Sequence, residues 1–347
     1  MINSRKLVYD VLEGKAVPQL AVGPLAVHYC ARDAGLVIKD FTLDAKLMAD
    51  AVIQYYHKYK PDAVWISADT WVTAEAMGAK VWFPGDDEPM GGDTDGVLLT
   101  HEDIANVPDP DPSTQGRMPL MQDVVRRVKA AIGDDVFIVA CFDQSPFSLA
   151  CAMAGICHLM EQVILDPDFV KALVAKCTDY VIAYAQALAD SGADMLSTGD
   201  SPSGLLGPEY YEQHALPAQQ KVFNHLREST NCKLSLHVCG DSTEVIPFMV
   251  KSGAHVVEID GIVDIDHACS MVPDDIAIWG NIDPAGTLFS GSVGDVEVET
   301  KALLTKVDAI GKKRFIYSSG CTLAPATPPE NVHALIKTVN EWANLRQ

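Results

Sequence analysis

The sequence predicts one α/β domain with the architecture of a (β/α)8 barrel. Three observations carry that prediction. Eight short apolar runs, rich in Val, Ile and aromatic residues, recur along the 347 residues. Amphipathic helical patterns lie between them, and strands that alternate with helices pair in parallel, because each crossover has to return over the sheet. Eight such units match a closed parallel barrel. The same alternation also permits an open doubly wound sheet, and the count is what favours closure. With 48% hydrophobic residues the chain can bury one large core.

The elements follow in order. Ser4–Leu12 reads as a short helix, broken after Gly14 by Lys15 and Pro18. The first strand is expected at Leu20–His28, then a helix at Asp44–Lys58 and a second strand at Ala63–Ser67. The stretch Trp82–Pro112 breaks the rhythm with Pro, Gly and Asp (FPGDDEPMGGDTDG, then VPDPDPS) and reads as an insertion or β-hairpin. Helix Met118–Ala131 leads to strand Val136–Phe142, and helix Pro167–Ser191 to strand Met195–Thr198. Helix Pro217–Thr230 precedes strand Lys233–Val238, and helix Thr243–Ser252 precedes strand Ala254–Ile259. Strand Ala277–Gly280, helix Val293–Ile310, strand Arg314–Ser318 and helix Glu330–Leu345 complete the chain. Residues 1–347 are therefore expected to form a single barrel domain, with an N-terminal helical extension and an irregular insertion at about 82–112.

Charge and cysteine usage bound the function. A net charge of -21 excludes nucleic acid as a partner, since phosphate binding needs clustered Lys and Arg. An anionic substrate would need a local positive spot or a metal. Nine scattered cysteines, an odd number, read as reduced thiols. The N-terminus shows neither an apolar signal region nor a small-residue cleavage site, and no run reaches the length of a membrane span. The expected location is the cytoplasm.

In a βα barrel the chemistry sits at the C-terminal strand ends. Those ends read His28, Asp69, Asp143, Asp200, His237 with Cys239, Asp260, Asn281 with Asp283, and Cys321. For Asp143 and Asp283 a capping or turn role stands beside the functional one. His237 and Cys239 (LSLHVCGD) lie at i and i+2 of a strand and face one side, so both reach one metal. Cys321 (SSGCTL), flanked by glycine at the end of the last strand, adds a third soft ligand. One imidazole and two thiolates suit Zn²⁺ and leave a fourth position open. Thiolate ligands lower the Lewis acidity of the metal. Such a zinc is less suited to making hydroxide than to holding a thiol as thiolate. Asp69 and Asp200 are the candidates to orient a donor or accept a proton. His28, Asp143, Asp260 and Asn281 are candidates for substrate binding. The entry DQSPFSLACAMAG starts a helix at Ser145 and Pro146, whose N–H groups would face the mouth and take an anion.

With these residues in place, the chain resembles the uroporphyrinogen decarboxylase superfamily, in its zinc-dependent methyltransferase branch. The similarity covers nearly the whole length, most specifically LSLHVCGD, WGNIDPAGTLFSG and SSGCTLAPATPPENVHAL. It implies a (β/α)8 barrel, zinc on His237, Cys239 and Cys321, and a separate corrinoid protein carrying methyl on cobalt. No Asp-x-His-x-x-Gly corrinoid-binding signature is present, so the cobalamin would arrive with that partner. The decarboxylase itself is a poorer match: where it has an arginine-rich motif, GPLAVHYCARDAG offers only Arg32.

Four readings stand. Methyl moves from methyl-cobalt to a zinc-activated thiol or another acceptor, tetrahydrofolate included. Alternatively, methyl moves from an O-, N- or S-methyl compound to Co(I) of the partner. The third reading is porphyrinogen decarboxylation, and the fourth a non-enzymatic metal- or corrinoid-binding protein.

Overall fold

In the computed structural model, which describes residues 3–91 and 96–345, the eight anticipated runs form one parallel sheet. In chain order the strands are β1 (Ala21–Val22), β2 (Ala63–Ile66), β3 (Val81–Trp82), β4 (Met90–Gly91), β5 (Phe137–Gln144), β6 (Met195–Gly199), β7 (Lys233–Val238), β8 (Val256–Ile259), β9 (Ala277–Ile282) and β10 (Phe315–Ser319). The order β1-β10-β9-β8-β7-β6-β5-β2 is that of a (β/α)8 barrel, and β3 and β4 form a separate antiparallel hairpin. The seam between β1 and β2 is closed by Asp62. Its amide donates to the Val22 carbonyl (2.8 Å), and its carboxylate accepts from the Val22 amide (3.0 Å) and the Ser4 hydroxyl (2.6 Å).

The first strand is much shorter than Leu20–His28. Pro24 has no N–H for the ladder, the Ala26 amide turns back onto the Pro24 carbonyl, and His28 opens the helix His28–Asp33.

Strand side chains alternate between the barrel interior and the helices. Ala63 and Trp65 of β2 join an inner cluster with Phe137, Val139, Met195, Val256, Ala277, Trp279 and Ile316. Their neighbours Val64, Ile66, Ile138, Ala140, Leu196 and Val257 pack outward against the helices. The helix Ser4–Leu12 plugs the N-terminal end, burying Leu7, Val8, Val11 and Leu12 on the inner cluster. Each such aliphatic side chain contributes about 1.5–3 kcal/mol. Arg5 fixes the plug by two hydrogen bonds to the buried Asp194 carboxylate (3.0 and 2.8 Å), which also accepts the Ile138 amide (3.0 Å). The lower interior is thus filled, and the space left open is at the C-terminal end.

The described part of the insertion holds the β3–β4 hairpin and a short helix. Its hairpin is tied down by the Lys39 amide on the Gly85 carbonyl (2.8 Å) and by Arg32 on Asp86 (2.5 Å). A Thr100–Asp103 capping box then starts the helix His101–Asn106. Residues 92–95 of the expected insertion lie outside the described residues. Among the described residues no single helix is long and apolar enough to cross a membrane.

Candidate metal centre and its cavity

A cavity of about 240 Å³ opens at the C-terminal strand ends. Leu25, Val27, Trp65, Pro89 and Leu323 give it apolar walls; His237, Cys239, Cys321 and Glu258 lie on one arc, Asp69 and Asp143 on another.

Strand parity brings the candidate metal ligands together. Leu234, Leu236 and Val238 of β7 pack in the outer core, so His237 faces inward, and Cys239 follows just past the strand. Gly240, at φ +75°, makes the turn after it, and its amide donates to Asp260 (2.8 Å). Cys321 follows Gly320, where a Cβ would lie 2.2 Å from the Gly261 amide nitrogen, so only glycine allows this approach.

His237 Nε2 lies 3.0 Å from Cys239 Sγ, the two sulfurs are 3.7 Å apart, and the three ligand atoms fall within 4.8 Å of one another. A sulfur separation of 3.7 Å is no disulfide. It matches the edge of a tetrahedron built on zinc–sulfur bonds of about 2.3 Å, which is about 3.8 Å. The other ring nitrogen supports the same fit. His237 Nδ1 is buried without a hydrogen-bond partner, and Glu258 Oε2 stands 3.9 Å away. Ser197 Oγ holds the opposite Glu258 oxygen at 2.7 Å. A carboxylate behind the imidazole orients the ring and raises its basicity as a ligand. The donor set fits zinc.

The electrostatics agree. Burial alone would lower His237, but Cys321 and Glu258 outweigh it and bring the imidazole to about 9. Cys321 holds Cys239 below the usual thiol value, while contact with Cys239, together with burial, raises Cys321. Burial raises Glu258, opposed by His237.

The remaining expected residues divide. Asp69 lines the cavity but is not free: Arg117 grips both carboxylate oxygens, with Nη2–Oδ1 at 3.1 Å, and the Trp71 amide donates at 2.7 Å. Asp143 also lines it, turned inward at φ +61° beside a strand irregularity between Cys141 and Gln144. Its Oδ2 accepts the Thr73 amide (2.9 Å) and hydroxyl (3.0 Å). Burial and the neighbouring Asp69 push this carboxyl well above the ordinary range. His28 sits at the rim with Nε2 on the Ala68 carbonyl (2.6 Å) and Nδ1 on Glu88 (3.0 Å).

Four expectations are corrected. Asp200 is fully buried outside the cavity wall and accepts the Ser148 amide (3.0 Å), the Ser148 hydroxyl (2.6 Å) and Gln219 (2.6 Å), so it braces two helices rather than moving protons. The helix starting at Pro146 is therefore capped by Asp200, and its N-terminus is not open to an external anion. Asn281 and Asp260 do not line the cavity. Asn281 Nδ2 donates to the Asp260 (3.1 Å) and Val263 (2.8 Å) carbonyls, and Asp260 holds the Cys239 loop through Gly240. Asp283 caps the turn that follows β9, accepting the Ala285 and Gly286 amides.

Sequence reasoning missed Glu258, Arg117 and Glu88. Glu258 had a signal: a carboxylate at an inward position of the apolar run VVEI, in register with His237. Arg117 and Glu88 come from irregular segments without periodicity, and had none.

A methylcobamide:CoM methyltransferase MtbA from Methanosarcina mazei is 32% identical over 199 residues, 57% of this chain and 56% of that protein, so the chain spans little more than half of that relative. A uroporphyrinogen decarboxylase from Nostoc punctiforme is 28% identical over 83% of the chain and 80% of that protein. The solved structure of a methyltransferase from Methanosarcina mazei superposes with a TM-score of 0.88 over 99% of both chains at 21% identity, which establishes the fold. The sequence profile described as uroporphyrinogen decarboxylase (URO-D) matches residues 3–342, and the chain belongs to that family.

Proposed function

We propose that this protein is a zinc-dependent methyltransferase that works with a separate corrinoid-carrying protein. The observation that carries the reading is the His237, Cys239 and Cys321 set, its ligand atoms within 4.8 Å of one another at the barrel mouth. When bound there, zinc supplies a soft positive centre that holds a thiol as its thiolate at neutral pH. The chain's own residues do the rest. Glu258 stands behind the His237 ring at 3.9 Å, Cys239 and Cys321 offer their sulfurs to the metal, and the apolar wall keeps water from the substrate sulfur. In the transfer, the thiolate sulfur would bond to the methyl carbon of a methyl-cobalt substrate brought by the partner, and the electron pair of the broken cobalt–carbon bond would leave with that partner. The thiol proton leaves to solvent.

One observation favours the opposite half-reaction. Asp143 is a buried carboxyl held well above its ordinary range in the same cavity, and such a group can protonate the heteroatom that loses its methyl to Co(I). Porphyrinogen decarboxylation is disfavoured: about 240 Å³ is small for an octa-acid, and among the described residues no Lys or Arg lines the space. The test is zinc-loaded protein with free methylcobalamin and a small thiol, followed by the loss of the methyl-cobalt spectrum. Transfer that vanishes in Cys239→Ser and Cys321→Ser supports the reading. Equal rates in wild type and both variants would overturn it.

A further inference from the structure

The charges around the cavity select the substrate. Asp69, Glu88, Asp143 and Glu258 line it, with no Lys or Arg side chain among the described lining residues. Arg117, the cation behind Asp69, is spent. It bonds Asp69 and Glu75 (Nε–Oε2 2.8 Å) and stacks over Phe83. Both ring nitrogens of His28 already face acceptors. The N-terminus of the helix Pro146–Ala154 is filled by Asp200. Among the described lining residues no Lys or Arg is left to hold an anion, and the other lining donors include the neutral hydroxyls of Ser67, Thr70, Thr198, Ser201 and Thr322.

Among the lining residues, Trp65 Nε1, His237 Nδ1 and Asp143 Oδ1 are buried without a hydrogen-bond partner, and of these only Asp143 Oδ1 is a carboxyl oxygen. Asp143 is 3% exposed, and its Oδ1 has no hydrogen-bond partner while Oδ2 accepts two. A buried carboxyl oxygen left unpaired is costly and calls for a ligand. Its place is defined: Gln144 pairs with Gly199, and Gly199 with His237, so Asp143 stands two strands from the metal ligands. That is roughly 10 Å between backbones, from two inter-strand spacings.

We propose that the small molecule taken by this cavity is not an anion, and that Asp143 Oδ1 receives its polar end, an ammonium or other N–H or O–H donor, while the other end reacts at the metal centre. The inference rests on the methyltransferase reading for which end reacts. It departs from what a sulfonate-bearing thiol would require.

Three two-carbon thiols differing only in their far end test it: 2-aminoethanethiol, 2-mercaptoethanol and 2-mercaptoethanesulfonate. Binding to zinc-loaded protein is measured by calorimetry, and methyl transfer from methylcobalamin separately by its spectrum. The expected binding order is ammonium, then hydroxyl, then sulfonate, with at least tenfold between the first and last. Asp143→Asn, in which Asn tolerates the left-handed backbone, should collapse that preference below threefold. This order without methyl transfer would keep the charge inference and sink the transferase reading alone. Sulfonate binding as tightly as ammonium, an unchanged preference in Asp143→Asn, or no binding of all three overturns the inference. The wild-type order decides the sign even where the variant folds poorly.

Discussion

Arg117→Met is the most informative single perturbation of the cavity wall. Arg117 and Asp69 expose only 6% and 3% of their side chains, and Glu75 exposes 26%. Methionine keeps most of the stem but removes every donor. Asp69 is then left with the Trp71 amide alone among its side-chain partners, and Glu75 loses its guanidinium. Removing one member of a buried ion pair costs about 3–5 kcal/mol, because the surviving charge stays buried without compensation. Unfolding entropy of about 2.1 cal/mol/K per residue gives about 0.7 kcal/mol/K for a chain of this length, so the expected loss is about 4–7 °C in Tm. The assay is thermal unfolding followed by circular dichroism at neutral pH. The same melt on Arg117→Met combined with Asp69→Asn and Glu75→Gln should recover more than half of the loss, since both stranded charges are gone. A loss under 1 °C, or a triple variant no better than the single one, would refute the view that Arg117 is consumed in holding the two carboxylates.

Two further predictions follow from the same physics. Glu258→Gln removes the carboxylate behind His237 and should weaken zinc affinity by about 10–100-fold in a chelator competition, with the fold intact; unchanged affinity would remove Glu258 from the site. Asp62, at the barrel seam, is raised by burial from 3.8 to about 6. A raised carboxyl binds its proton more tightly when folded, so its contribution favours folding below about pH 4 and is lost as pH rises to about 6. That loss is at most about 3 kcal/mol, at 1.36 kcal/mol per pH unit. Relative to wild type, Asp62→Asn should therefore gain up to about 4 °C in Tm between pH 4 and 7. A pH-independent gap between the two would contradict it.

What the sequence revealed follows from what periodicity encodes. Strands were legible because short apolar runs recur between helical patterns, and the i, i+2 spacing of His237 and Cys239 with a glycine-flanked Cys321 marked the three residues whose ligand atoms lie within 4.8 Å of one another. The first strand was overextended because apolar composition hides the missing donor of Pro24. Asp200 was misread for a related reason: a strand-end aspartate has the same local signature whether it faces the cavity or caps the next helix. Distance along the barrel decides, through partners such as Gln219 that lie on another element. Arg117 and Glu88 reach the site from segments whose path depends on tertiary contacts, the Lys39–Gly85 hydrogen bond among them. Nothing local in those segments announces where they go.

The central claim is that three residues at the barrel mouth hold one zinc. Elemental analysis of protein purified without added metal, on wild type and on Cys321→Ala, tests it most directly. The account predicts about one zinc per chain in wild type and its loss in the variant, with the fold unchanged by circular dichroism. No metal in wild type even after incubation with zinc, or equal metal in both proteins, would contradict it.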